Sequence, residues 1–380
     1  MALPRLSIFA ASLCFVWTTA QAQPSPYVAW IKSQAEQAHV FAVASEPGMA
    51  DTTILLKDLV PALGTSGYGA YGVSMGPWMA ANLEDIAERG GDELERFLAD
   101  PQNARQMQVL NDKESIALIR SIQKHWGRWP RNLWGVDQEF LTSAPFLLER
   151  LSMFAPDEAA KAVILSYRDV ARTQNYYLAT AENRVFDHLH SLFPEEAEEP
   201  HALINEMALS KYIYGPFLDD NARIKKAHER REALLFENFL RYTRDNAPKA
   251  IPKVLVELPP AHLHGEKTPL GVPSFGNSLR KYVKAKGQKL FSLAVICGPN
   301  GYRRLVEGGI KECGPGFRKK YAELMPLVDG RDKPVLLMSA ALQGQSIAVQ
   351  RLKTGFDAVL IFPQARASTP AIEVDAAMVP

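Results

Sequence analysis

Seven short apolar runs, widely spaced along 380 residues, limit what this chain can become. They are HVFAVAS (39–45), GAYGVSM (69–75), NLWGVD (132–137), KVLVEL (253–258), KLFSLAVIC (289–297), KPVLLMS (333–339) and FDAVLIF (356–362). Several are apolar at every position rather than at alternate ones, the pattern of strands buried on both faces. Helical periodicity fills most of the gaps, at 52–63, 82–98, 113–126 and 316–325. Strand and helix in alternation predict an α/β fold: a mostly parallel sheet with helices on both faces.

The strand signal stops between Gln138 and Pro248. Leu147, Leu151 and Phe154 share one helical face, 157–193 reads as one long helix, and PEEAEEP (194–200) reads as a solvated acidic connector. A charged helix over 221–246 turns Leu234, Leu235, Phe239 and Tyr242 inward. The expected organisation is a first part of the core at 23–138, a helical insertion at 139–248 and a second part of the core at 249–380. An insertion of that size is expected to cap the sheet edge and wall a ligand site.

Residues 1–22 carry one early Arg5, an apolar stretch too short to span a bilayer, and an Ala20-Gln21-Ala22 ending. That is the pattern of a cleaved signal peptide, so an exported protein, periplasmic or extracellular, is expected, with no integral membrane segment after cleavage. The whole chain has 43 basic and 42 acidic residues, and no basic run marks a nucleic-acid footprint. A small-molecule ligand or substrate is the expected partner, and composition leaves the oligomeric state open. Cys297 and Cys313 lie 16 apart, and either a disulfide or two unrelated thiols fits that spacing.

Open α/β sheets hold ligands outside the carboxyl ends of their strands. The polar residues there are Ser45 and Glu46, Ser74, Asp137, Gln138 and Glu139, Glu257, and the pair His262 and His264. Glu46 precedes a Pro-Gly turn, where a partly desolvated carboxylate acts well as a base. His262 and His264 fall on one side of an extended segment; a lone His needs only one orienting partner to move protons. Catalytic zinc commonly takes three protein ligands, and no third is in evidence. His188 and His190 lie in a helical setting and point apart. No metal or other cofactor is therefore assigned. Arg231 and Glu232 sit on the border of the charged helix, where an arginine can stabilise negative charge. Gly72-Val73-Ser74-Met75-Gly76 has the spacing of a nucleophile elbow without that motif's context.

The order of these motifs resembles the erythromycin esterase-like family, with its haem-binding and Tiki-type relatives. Ser45-Glu46-Pro47-Gly48-Met49 stands where the family has Gly-Glu-x-x-His. Arg231-Glu232 through Asn238 follows its Arg-acid-x-x-Met-x-x-Asn helix, with Leu235 for Met. VLVELPPAH places Pro259 at the first and His262 at the second of two late histidines. FDAVLIFPQARASTP follows its final strand and Thr-Pro turn. The resemblance implies water activation for ester hydrolysis by a His and Glu set, without a required metal. It retains Glu46, Arg231, Glu232 and His262, while Met49, Ser74 and Pro259 replace a His, a Glu and a His.

Those losses leave two readings. One is a hydrolase-like protein cutting an ester or related bond, with His262 as base, Glu46 orienting it or sharing that role, Arg231 stabilising charge and Glu232 in the set. The other is a catalytically silent ligand-binding protein, taking haem or another large apolar molecule. Ser74, Met49, Asp137, Gln138 and His264 are the expected binding residues. A third class, a partner-binding envelope protein, predicts no enclosed pocket.

Overall fold

The computed structural model describes residues 25–371 except 108, 128, 220, 247–252 and 306–308. The leader-like segment 1–22 and the boundary at 248 lie outside the described residues. The strands are β1 Val40–Ala44, β2 Tyr68–Val73, β3 Leu133–Gly135, β4 Lys253–Leu258, β5 Leu290–Cys297, β6 Tyr302–Arg304, β7 Ile310–Glu312, β8 Val335–Met338 and β9 Ala358–Phe362. All seven apolar runs enter one sheet, in the order β3-β2-β4-β1-β5-β9-β8. Six strands run parallel, and β8 closes the edge antiparallel to β9. The short β6 and β7 form a separate antiparallel ribbon that the sequence pattern did not announce; three residues are too few to display alternation.

The central strands are largely apolar because both of their faces are covered. Phe41 and Val43 of β1, Leu255 of β4 and Phe291 and Leu293 of β5 point to one face, onto helices Pro26–Gln37, Ala50–Thr65 and Lys113–His125. Val40, Ala42, Val254, Val256 and Val359 point to the other, against Leu235 and Phe239 of helix Ile224–Asn246 and Phe275, Leu279 and Val283 of helix Phe275–Ala285. A third cluster, with Leu147, Ile164, Leu178, Leu203 and Met207, holds together the helices between β3 and β4.

Helix boundaries differ from the periodicity in several places. The pattern at 82–98 becomes Pro77–Glu88 and Glu93–Ala99, parted by Gly90 and Gly91 at φ 76° and 60°. The expected long helix at 157–193 becomes Glu158–Thr173, Tyr177–Thr180 and Asn183–Ser191. Tyr177, Leu178 and Ala179 are all buried, and no single helix face buries three consecutive positions. Helix Glu198–Asp219 begins inside the acidic connector, its Glu198 and Glu199 suiting a helix N-terminus. The 316–325 pattern becomes Gly314–Lys320 followed by two short turns.

The strand order places a topological switch at β1 and β4. The chain leaves β1 toward β2 through Ala50–Thr65 on one face; it leaves β4 toward β5 through Phe275–Ala285 on the other. The two connections part at the carboxyl edge, the place where open α/β sheets bind ligands.

Candidate functional site

A cavity of about 60 Å³ lies at that switch, lined among others by Ser45, Glu46, Met49, Tyr71, Ser74 and Glu257. It has room for a few waters or one small polar group. Glu257 takes part because it shares strand parity with Leu255 and so faces the Phe41–Phe291 side of the sheet. Ser45 Oγ donates to Glu257 Oε1 at 2.7 Å, and the Tyr71 hydroxyl donates to Oε2. Burial raises the Glu257 carboxyl above its usual range, the two donated hydrogen bonds oppose that rise, and Asp112 adds to it.

Asp112 is a further acid of the cleft. It caps helix Lys113–His125, its Oδ1 accepting from Ser115 N–H at 2.7 Å. Burial also raises its carboxyl, against the Ser115 hydrogen bonds and the Arg304 guanidinium 3.9 Å away. Leu110, two residues earlier, holds φ at 61°, and no other described non-glycine residue adopts a positive φ. That conformation costs about 1–2 kcal/mol, and such strain gathers at functional sites. Thr52 Oγ1, also at the cleft, is buried without a hydrogen-bond partner.

The mouth is built by the ribbon. Arg303 Nε lies 3.0 Å from Glu46 Oε2. Arg304 donates to Asn111 Oδ1 at 2.5 Å and to Ser368 Oγ at 3.2 Å. Gly48, at φ 86°, offers its carbonyl to the N–H groups of both Arg304 and Ser368. A disulfide joins Cys297, at the end of β5, to Cys313 just beyond β7, with Cα atoms 5.8 Å apart. Of the two readings the sequence allowed, the structure takes the bond.

Behind the cleft lies a buried polar layer. Ser74 Oγ donates to Asp137 Oδ2 at 2.7 Å, and Arg231 grips the same carboxylate with Nε at 3.0 Å and a terminal nitrogen at 2.6 Å. Burial alone would raise the Asp137 carboxyl; the Arg231 charge overrides it and holds the group below its usual range. Arg231 is thus committed to Asp137 rather than presented to the cleft. Ser74 donates to a carboxylate and faces no histidine base, so the elbow spacing has no nucleophile geometry behind it. The next residue, Glu232, has Oε1 2.6 Å from His262 Nδ1, while its Oε2 accepts from Phe275 N–H at 2.7 Å. His228, one turn earlier, brings Nε2 to 3.3 Å from the same Glu232 Oε1.

The predicted residues therefore divide. Glu46, Met49 and Ser74 line the cleft; Asp137, Arg231, Glu232 and His262 form the layer behind it. The carboxylate partner of His262 is Glu232, and Glu46 pairs with Arg303 at the mouth, 44% exposed. Gln138 is buried beside Asp137. His264 does not join His262, because Pro260–Leu263 turns into a short helix where an extended loop was expected. Its Nδ1 accepts from Glu266 N–H at 3.1 Å, which leaves Nε2 to donate to the Arg351 carbonyl at 3.0 Å. Burial, then Arg351, depresses its basicity. Both ring nitrogens are spent on backbone, so His264 fastens the loop. Sequence reasoning passed over Tyr71, Asp112, Arg304 and His228, and named Glu257 at a strand end without giving it a role. The available signals were Glu257's strand parity and the four-residue step from His228 to Glu232.

No family model matches the sequence, and no curated protein is significantly similar to it. Solved structures are similar in fold. A mutant of erythromycin esterase EreC in its open conformation superposes at TM-score 0.58 with 15% identity, covering 90% of this chain and 95% of that one. A succinoglycan biosynthesis protein gives 0.58 at 13% identity, over 92% and 93%. A Bacillus cereus protein gives 0.55 at 11% identity, over 90% and 92%. At these identities the likeness establishes a shared α/β architecture over nearly the whole chain.

Proposed function

We propose that this chain is an exported hydrolase-like protein whose strand-end cleft takes a small polar substrate and cuts an ester or related bond with water. The observation that carries the reading is the Glu257 carboxyl, held in the cleft by the hydroxyls of Ser45 and Tyr71 with its proton affinity raised by burial. A carboxylate so tuned accepts a proton more readily than a surface glutamate, as a general base must. Glu257 takes a proton from water and the oxygen attacks the acyl carbon. The ester C–O bond breaks, and the same proton passes to the leaving alkoxide. Arg304, on the cleft wall, faces the negative charge that develops. The fold likeness to an esterase agrees with this reading.

In this reading Glu257 replaces His262 as base, because His262 is buried against Glu232 and does not line the cleft. The helices of 139–248 cap the sheet edge, where Trp78 of the core packs on their cluster, and not the cleft, whose lining includes none of their described residues. Export is supported by the leader-like 1–22 and by the disulfide, which suits an oxidising compartment.

The test is a panel of small esters, thioesters and lactones assayed with the purified protein and with Glu257→Gln. Turnover should fall about 10²–10⁴-fold in the variant, the range for loss of a general base, without loss of thermal stability. Equal turnover by both proteins would remove Glu257 from the chemistry. If the native chain turns over nothing yet is stabilised by panel members, the cleft is a binding site, the second reading left by the sequence.

A further inference from the structure

The layer behind the cleft contains a group of three side chains that the proposed hydrolysis leaves without a task. From His228, Glu232 and His262, one ligand-capable atom each lies within 4.8 Å of the others. The rings of His228 and His262 are tilted together, centroids 5.7 Å apart. All three residues are buried, at 8%, 4% and 4% exposure. We propose that these residues form a binding site for a single divalent transition-metal cation of the zinc class, set directly behind the cleft.

Four observations converge on it. First, His228 Nε2 is buried and makes no hydrogen bond, although it points at Glu232 Oε1 from 3.3 Å. A buried ring nitrogen without a partner is destabilising, and a cation at this place would give it one. Second, two imidazoles and one carboxylate are the donor set of three-ligand zinc sites, which keep a fourth position open. Third, the spacing is close to what a metal needs. Ligand bonds of about 2.0–2.1 Å in tetrahedral array put donor atoms roughly 3.4 Å apart. The His228–Glu232 separation is already 3.3 Å, and the His262–Glu232 separation of 2.6 Å opens by under an ångström once the shared proton leaves.

Fourth, the surroundings are prepared. Glu232 Oε2 is held by Phe275 N–H, so Oε1 is the oxygen left to face a metal. Outer hydrogen bonds of that kind orient ligands in metal sites. The neighbouring Arg231 would repel a cation if it were unpaired, but the bidentate Asp137 neutralises it. His228 and Glu232 lie one turn apart on helix Ile224–Asn246, so they rise on one face; His262 arrives from the turn after β4. The site is independent of the reading of the cleft, since Glu257, Tyr71 and Ser45 contribute nothing to it.

The experiment is a titration of chelator-stripped full-length protein with Co²⁺ and then Zn²⁺, read by the visible bands of bound Co²⁺ and by competition with a chromogenic chelator. One equivalent should bind, and Zn²⁺ should bleach the Co²⁺ spectrum. His228→Ala and His228→Gln should each weaken binding at least tenfold. His228→Gln is included because it preserves volume if the alanine variant packs poorly. The other close imidazole pair, His190 Nδ1 and His201 Nδ1 at 2.7 Å, supplies the control. His201→Ala should leave the spectrum unchanged. The proposal is overturned by no binding, by binding that survives both His228 variants, or by binding that is lost with His201.

Discussion

Two buried acids bring the consequences of burial down to single residues. Glu139 has no solvent exposure; Trp78 N–H donates to Oε1 at 2.8 Å, and Oε2 has no partner. Burial pushes its carboxyl up to about 8. An unfolded chain sheds that proton near the ordinary value of 4.5, while the folded chain keeps it to about 8. The unfolded state therefore binds fewer protons across that window, and stability falls as pH rises through it. Glu139→Gln removes the dependence. The variant should match the native chain at pH 4 and gain over it up to pH 8, by about 1.4 kcal/mol per pH unit at most. Denaturant melts across that range check this, and a constant difference would refute it. Asp137 behaves oppositely, because Arg231 compensates its burial. Asp137→Ala would strand a buried guanidinium and should cost about 3–5 kcal/mol, measurable by urea unfolding.

The ribbon β6–β7 is the element that most needs outside support. It is two three-residue strands, largely exposed, and an isolated pair of strands is marginal in water. The disulfide closes a segment of 16 residues around it and fixes Arg303 and Arg304 over the cleft. A loop of that length contributes about 3 kcal/mol in the chain-entropy account. Cys297→Ser with Cys313→Ser should lower stability by about that amount and lower kcat, because Arg304 then loses its fixed place opposite the developing charge. An unchanged kcat would remove the ribbon from the chemistry.

Across the whole molecule, the sheet has a core on each face, while the helices between β3 and β4 share a smaller one of their own. Units with fewer buried contacts open first. Amides of helices Glu158–Thr173 and Asn183–Ser191 should therefore exchange hydrogen faster than those of β1, β4 and β5. Uniform protection by native-state exchange would mean that the chain opens as one unit. The same division explains how far the sequence could be read. All seven sheet strands were visible because two-sided burial writes continuous apolar runs into the chain, whatever the partners. Ser74, Asp137, Arg231, Glu232 and His262 were visible as polar residues at strand ends or on a helix border. Their pairing was not. Ser45 meets Glu257 across 212 residues, Ser74 meets Asp137 across 63, and Glu232 meets His262 across 30. Local pattern fixes which face a side chain takes, so the α/β class, the strands and the candidate polar set could be read from the chain alone. Which carboxylate each histidine meets depends on strand order and helix placement, and those are settled by long-range packing. Only the tertiary structure could give His262 to Glu232, Arg231 to Asp137, and the cleft to Glu257.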